Sequence, residues 1–183
     1  MDYDKLDNEE LLRLALDAIR GDRDADAVVM LKTLLEREPG HVYAHYLLAA
    51  QHAQLGMMAQ AEAGFRAVVA MAPEFAVARF QLAQLLLVTG RAGEARQCFA
   101  TLLGHPDAMG AFARALMAAA VDDRDGSIRE LQAGLALPQP IPALAADMKR
   151  LLAQWQQAET VTERTGPSPA AAPMLLANYG RGG

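Results

Sequence analysis

The marks in this sequence return every 34 residues, and that spacing constrains the fold more than any other feature. Ala27, Ala61 and Ala95 are separated by 61−27 = 34 and 95−61 = 34. Leu14, Leu48 and Leu82 keep the same step, as do Pro39 and Pro73, and Gly56 and Gly90. Residues 42–73 show what one period contains. Two amphipathic patterns, 42–55 and 58–71, are separated by Gly56 and closed by Pro73. A fixed period of this length, filled by a helix–turn–helix, predicts a solenoid, because each hairpin has an apolar face that only a neighbouring hairpin covers.

The marks resemble the tetratricopeptide repeat. That motif has a large residue and then Leu-Gly on its first helix, Gly at the turn, and Ala, an aromatic, Ala and Pro across the second. The middle unit supplies Leu48-Ala49, Gly56, Ala61, Phe65, Val68 and Pro73. The next supplies Leu82-Ala83, Gly90, Ala95, Phe99, Leu102 and then Pro106, one residue early. The first gives Leu14-Ala15, the turn Gly21-Asp22, and Ala27, Leu31, Leu34 and Pro39. Three slots depart from the motif: His45 and Arg79 stand where Trp is usual, and His52 where Tyr is. The likeness covers residues 8–107, with a degenerate fourth unit after it.

The resemblance implies an all-α, right-handed superhelix of three to four helix–turn–helix repeats with a C-terminal capping helix. It also implies that the first helix of each pair lines a concave groove that holds a protein or peptide partner. The groove slots are then Leu12 and Leu16; Tyr43, Tyr46 and Ala50; Val77, Phe80, Gln84 and Leu87; and Met109, Phe112 and Leu116. Aromatic and Met side chains on such a surface anchor peptides; packed between helices, the same side chains would be core. Some relatives clamp a C-terminal carboxylate with Lys, Arg and Asn. Helices 3 and 5 lack those residues here, and Lys5, Lys32 and Lys149 lie elsewhere. An extended apolar segment is therefore the expected ligand. Small chaperones of bacterial type III secretion share this layout, so a chaperone, scaffold or assembly factor of a bacterial complex is expected. A regulatory domain for a signalling peptide or small ligand is the alternative, as is a subunit tethered to a larger machine by its tail.

The repeat domain is placed at 1–159, with repeats at 8–40, 41–74, 75–107 and, degenerate, 108–138. Helices are expected at 8–20, 25–37, 75–89, 93–103, 107–121 and 125–137, besides the two in the stretch above. Asp7 with Glu10 forms a capping-box pattern before the first. Leu11, Leu14, Ala15 and Ala18 form its buried stripe, and Ile128, Leu131 and Leu135 the apolar face of the eighth. Ser127 occupies the Ala slot of the fourth unit, since 127−95 = 32, and Leu131 and Gly134 follow in the next two slots. End repeats are commonly atypical because one face has no neighbour. Pro138, Pro140 and Pro142 interrupt the chain. A capping helix at 141–159 then carries Leu144, Met148, Leu151, Leu152 and Trp155 on one stripe. From Thr160 the composition changes to a Pro-, Ala- and Gly-rich tail, 160–183, expected to be disordered on its own. Within it Met174, Leu175, Leu176 and Tyr179 form a candidate docking motif.

Composition excludes some classes of function. The 183 residues are 52% apolar, which argues against wholesale disorder, and carry a net charge of −5 without a basic stripe, which argues against nucleic acid. No apolar run approaches a membrane span, and the N-terminus lacks a signal core. One cysteine, Cys98, points to a reducing cytoplasm. Self-association through apolar terminal edges stays open. No cofactor or metal is expected. His41, His45 and His52 share a helical face without an acidic or thiol partner, so packing roles are expected. Asp22, Asp24 and Asp26 resemble the start of a calcium loop, but Ala27 and Thr33 replace its Gly and Glu. Cys98 has only Arg96 nearby and reads as an inert thiol. No nucleophile or phosphate motif is present, and no enzymatic activity is expected.

Overall fold

A computed structural model describes residues 6–165. The described residues form nine α-helices and no strand: α1 (Asn8–Arg20), α2 (Asp24–Arg37), α3 (Val42–Gln54), α4 (Met58–Met71), α5 (Ala76–Val88), α6 (Ala92–Leu103), α7 (Ala108–Ala119), α8 (Arg124–Leu135) and α9 (Pro142–Thr165). The chain divides into two compact units between Leu82 and Ala83, inside α5. In the first unit α1 packs on α2, α2 on α3 and α3 on α4. In the second α6 packs on α7, α7 on α8 and α8 on α9.

Local chemistry starts several of the helices. Glu10 N–H donates to Asp7 Oδ1 at 2.8 Å and Asp7 N–H to Glu10 Oε2 at 3.0 Å, the capping box read from the sequence. Asp107 and Asp123 cap α7 and α8 by accepting from Gly110 and Gly126 N–H, both at 2.9 Å. Pro142 opens α9, where a missing N–H costs nothing.

The turn inside each hairpin is set by one residue in left-handed backbone. Asp22, Gly56, Gly90 and Asp122 have φ of 54, 73, 77 and 59°. Their spacing is 56−22 = 34, 90−56 = 34 and 122−90 = 32. The next N–H reaches back five residues each time: Arg23 to Ala18 O (2.9 Å), Met57 to His52 O (2.8 Å), Arg91 to Leu86 O (2.8 Å) and Asp123 to Ala118 O (3.0 Å). This is the Schellman closure, which satisfies carbonyls that the helix end leaves over. Its return after 32 residues marks α7–α8 as a repeat shortened by two.

The second helix of each hairpin supplies the core through three slots. They hold Ala27, Leu31 and Leu34 on α2, Ala61, Phe65 and Val68 on α4, and Ala95, Phe99 and Leu102 on α6, all buried. On α8 the buried set is Ser127, Leu131 and Gly134. The Ser127 hydroxyl donates to Ala115 O at 2.6 Å, so a polar residue fills an Ala slot with its donor satisfied. A Cβ on Gly134 would lie 2.6 Å from Phe112 Cε1, so that aromatic occupies the space a side chain would need.

Several expectations need correction. Leu14, Ile128, Leu135, Leu152 and Trp155 are half-buried, at the margins of their stripes. Helix α9 runs to Thr165, beyond the expected end at residue 159, because no strong breaker occurs before Gly166-Pro167. Leu144, Met148 and Leu151 are its buried seal, and an Arg124 guanidinium N–H donates to the Trp155 carbonyl. The tail motif 174–179 lies outside the described residues.

Three stability predictions follow from turn and core. Gly56 has open space where a Cβ would go, so Gly56→Ala tests backbone alone and is expected to cost about 1–2 kcal/mol. Asp22→Gly at the equivalent turn should instead stabilise by about 0.5–1 kcal/mol, measured by urea denaturation. Phe65→Ala should cost about 3–5 kcal/mol as a core aromatic truncation; an unchanged melting temperature would contradict this packing.

Candidate functional site

The structure distributes the expected groove residues over three levels of exposure. Tyr46, Ala50, Phe80, Gln84, Phe112 and Leu116 are buried. Leu12, Leu16, Val77, Leu87 and Met109 are half-buried, and Tyr43 is exposed at 41%. Side chains at the first level are packed against the chain's own helices. Phe112 meets Gly134 of α8 in the second unit, and Tyr46 is held in an aromatic cluster in the first. Truncating Tyr46 or Phe80 therefore acts on packing before it acts on a partner. Of the expected groove residues in the first unit, Tyr43 is exposed and Leu12, Leu16 and Val77 are half-buried.

Tyr43 stands on a built foundation. Its ring stacks on Tyr46, one turn further along α3, with centroids 6.1 Å apart and planes 18° apart. Tyr46 in turn meets Phe75 at 5.0 Å and Phe65 at 6.1 Å, both tilted. Tilted and offset-stacked pairs of this kind are favourable geometries that fix ring orientation. The exposed ring is thus continuous with core aromatics from α4 and the α4–α5 loop, and little rotamer freedom remains to be lost on binding. The sequence reading assigned no site role to Phe65 and none at all to Phe75. Phe75 falls outside the 34-residue marks, which left no signal for it.

The departures from the repeat motif have structural work of their own. His45 Nε2–H donates to Pro39 O at 2.8 Å, and Arg79 Nη2–H to Pro73 O at 2.6 Å. Both pairs are six residues apart, and 79−45 = 73−39 = 34. Each side chain satisfies a carbonyl just past the preceding helix. Arg114 does similar work from another register, donating to Leu103 O and His105 O while paired with Glu130 at 2.8 Å. His41 Nδ1 accepts from Ala44 N–H at 3.2 Å. The three histidines on α3 and its cap thus have separate places, and among the described residues no three potential ligands gather into a metal site. Asp22 lies in the left-handed turn and Asp26 pairs with Arg23 at 3.5 Å. Cys98 is half-buried on α6.

His52 is 9% exposed on α3. Burial, reinforced by the charge of Lys32, holds its pKa below the ordinary histidine value. Asp147, 5% exposed on α9, is pushed above the usual carboxylate range by burial, against the pull of its partner Arg150.

The second unit has a cleft of about 490 Å³ lined by Pro106, Asp107, Ala108, Leu137, Pro138, Gln139 and Pro140. Its acid, Asp107, is already engaged in capping α7, and Gln139 Nε2 donates to Gly134 O and Leu137 O. The cleft is an apolar recess between loops.

Residues 54–105 match the family model described as tetratricopeptide repeat. They hold the Gly56 and Gly90 turns and the Ala61/Phe65/Val68 and Ala95/Phe99/Leu102 cores just described. Over that stretch the chain is similar to the tetratricopeptide repeat. The same fold is seen in a solved structure titled "MamA RS-1 ArsTM double mutant", with a TM-score of 0.60 and 16% identity over 86% of this chain and 95% of that one. No curated protein matches the sequence. The described residues form an all-α helical-repeat fold, and no described helix is long and apolar enough to cross a membrane.

The position of His52 gives a pH prediction. The unfolded chain takes up the imidazole proton near pH 6.5, and the folded chain only at lower pH, so folding stability falls as pH drops through that window. His52→Gln should flatten this part of the curve of melting temperature against pH. A curve that the substitution leaves unchanged would show that His52 is not held neutral by burial.

Proposed function

We propose that the chain is a non-enzymatic protein-binding module that takes an extended apolar segment of a partner on the Tyr43 face. In this reading it acts as a chaperone, scaffold or assembly factor of a bacterial complex, in a reducing cytoplasm. The family supports protein binding in general. The observation that carries the specific reading is an exposed aromatic, Tyr43, stacked on Tyr46, which in turn meets Phe65 and Phe75. Aromatic anchors backed by packed neighbours tend to carry a large share of binding energy. The half-buried Leu12, Leu16 and Val77 are apolar, so the first unit favours an uncharged segment over an acidic or basic one. Binding would come from burial of the partner's apolar side chains, at about 25 cal/mol per Å², less the cost of ordering it.

The test is affinity capture from source-cell extract with three immobilised proteins: wild type, Tyr43→Ala, and Val29→Ala. Val29 is 48% exposed on α2 and serves as the control for loss of a surface apolar group. A partner retained by wild type and Val29→Ala, and bound at least about tenfold more weakly by Tyr43→Ala, is the expected result. Equal retention by all three would place recognition elsewhere.

A further inference from the structure

We infer that the segment taken on the Tyr43 face carries a positively charged side chain beside its apolar ones, and that Glu9 receives that charge. The inference rests on the proposed function: it keeps the apolar segment and adds the residue that flanks it.

The slot that Tyr43 occupies recurs in the neighbouring hairpins. Glu9, Tyr43 and Val77 are each the second residue of their helix, in α1, α3 and α5, and 43−9 = 77−43 = 34. Glu9 and Tyr43 are exposed, and Val77 is half-buried. Contacts bring the three helix starts to one edge of the first unit. Asn8 Nδ2 donates to Glu38 Oε2 at 3.3 Å and Arg37 Nη1 to Leu6 O at 2.6 Å, so the start of α1 is fastened to the end of α2. His41 N–H donates to Glu38 O at 3.1 Å, and α3 begins at the next residue. On the other side Tyr46 meets Phe75, which directly precedes α5. An extended segment lying across this edge therefore meets an aromatic ring and an aliphatic side chain in two slots and a carboxylate in the third.

The carboxylates of the edge are open to a new partner. Among the described residues Glu9, Glu38 and Glu74 form no ion pair, and Glu9 does not pair even with Arg13, one turn along α1. The basic side chains of the edge are held on main-chain carbonyls: Arg37 on Leu6 O, His45 on Pro39 O and Arg79 on Pro73 O. Complementary charge at the rim of an apolar surface selects the partner and speeds its arrival more than it raises affinity. Because Glu9 is exposed, the pair adds only about threefold to affinity, and salt screens it. The apolar slots hold the segment, and Glu9 decides which flank is admitted.

The experiment is an NMR titration of the full chain with synthetic peptides blocked at both ends. Each has a Leu-Phe-Leu core joined through Gly-Gly to Lys, Gln or Glu, and each is made in both sequence orders. The spacer, about 10 Å over three extended steps, matches the spacing of packed helices. The expected result, in one of the two orders, is a Lys peptide bound about threefold tighter than the Gln peptide, and a Glu peptide bound more weakly than either. Glu9→Gln should remove this ranking and Glu9→Lys invert it, with melting temperatures close to wild type. Tyr43→Ala should weaken all the peptides alike, about tenfold. Equal affinity of wild type for the Lys, Gln and Glu peptides, with all of them weakened by Tyr43→Ala, overturns the inference and leaves the proposed function standing. A ranking that survives Glu9→Gln overturns it by placing the charge recognition elsewhere. Binding of no peptide also overturns it, and the capture experiment above then decides the proposed function on its own. Sedimentation of wild type as a dimer that Tyr43→Ala dissolves overturns it in favour of a second copy as the occupant.

Discussion

Each hairpin in this chain depends on one residue whose backbone turns left-handed at the end of the first helix. That conformation lets the following N–H reach a carbonyl five residues back, which closes the helix and aims the chain into the second helix with no spare residues. In the first three hairpins no side chain caps the second helix, so the turn itself carries the geometry. Gly56 and Gly90 adopt the conformation freely, whereas Asp22 and Asp122 adopt it against a steric preference. The terminal hairpins therefore keep the turn while losing its usual residue. The hydrogen-bond pattern is what the fold requires, and glycine is the easier of two ways to make it.

With the turn fixed, the identity of three slots on the second helix decides how closely the first can approach. Small–large–large in α2, α4 and α6 becomes Ser–Leu–Gly in α8, and Gly134 leaves room for Phe112 on α7. Phe112 keeps the aromatic of the slot held by Phe80 and Tyr46, since 112−80 = 32 and 80−46 = 34. This explains why a side chain expected to face a groove is buried. In the first unit the same demand is met by Phe65 from α4, which allows Tyr46 to sit against it and Tyr43 to extend outward. The exposed aromatic follows from which helix carries the large residue.

The sequence made the repeat legible because turn and core slots recur at a fixed step, and a recurring constraint shows in one chain without an alignment. The three-slot cores and the capping box at Asp7 were readable for that reason. Exposure was not. Whether Tyr46 or Phe80 faces a groove or a neighbouring helix depends on what stands opposite, and in the first unit that includes Phe75, a residue outside the period. His45 and Arg79 were visible only as deviations. Their hydrogen bonds to Pro39 and Pro73 show that the deviation is itself periodic, with a polar donor serving a carbonyl where an indole would be expected. The end of α9 was misplaced for a simpler reason: residues 160–165 contain no Gly or Pro to stop a helix.

The two units differ in the chemistry that holds them, and this bears on where a partner could bind. The second unit uses charge at partly buried places: Arg114 with Glu130, Arg124 on the Trp155 carbonyl, and Asp147 with Arg150. Partly buried ion pairs gain Coulomb energy at the cost of desolvation, and they stabilise little beyond what good apolar packing would give. Their strength is in geometry, since a directional bond on a helix carbonyl sets where α9 lies on α8. In the first unit Tyr43, Tyr46, Phe65 and Phe75 form an apolar cluster that reaches the surface at Tyr43. An apolar cluster that reaches the surface gains free energy from any further apolar cover, whereas a satisfied ion pair loses by desolvation when covered. That difference is the physical reason the proposal takes the first unit, at Tyr43, as the surface for an apolar segment.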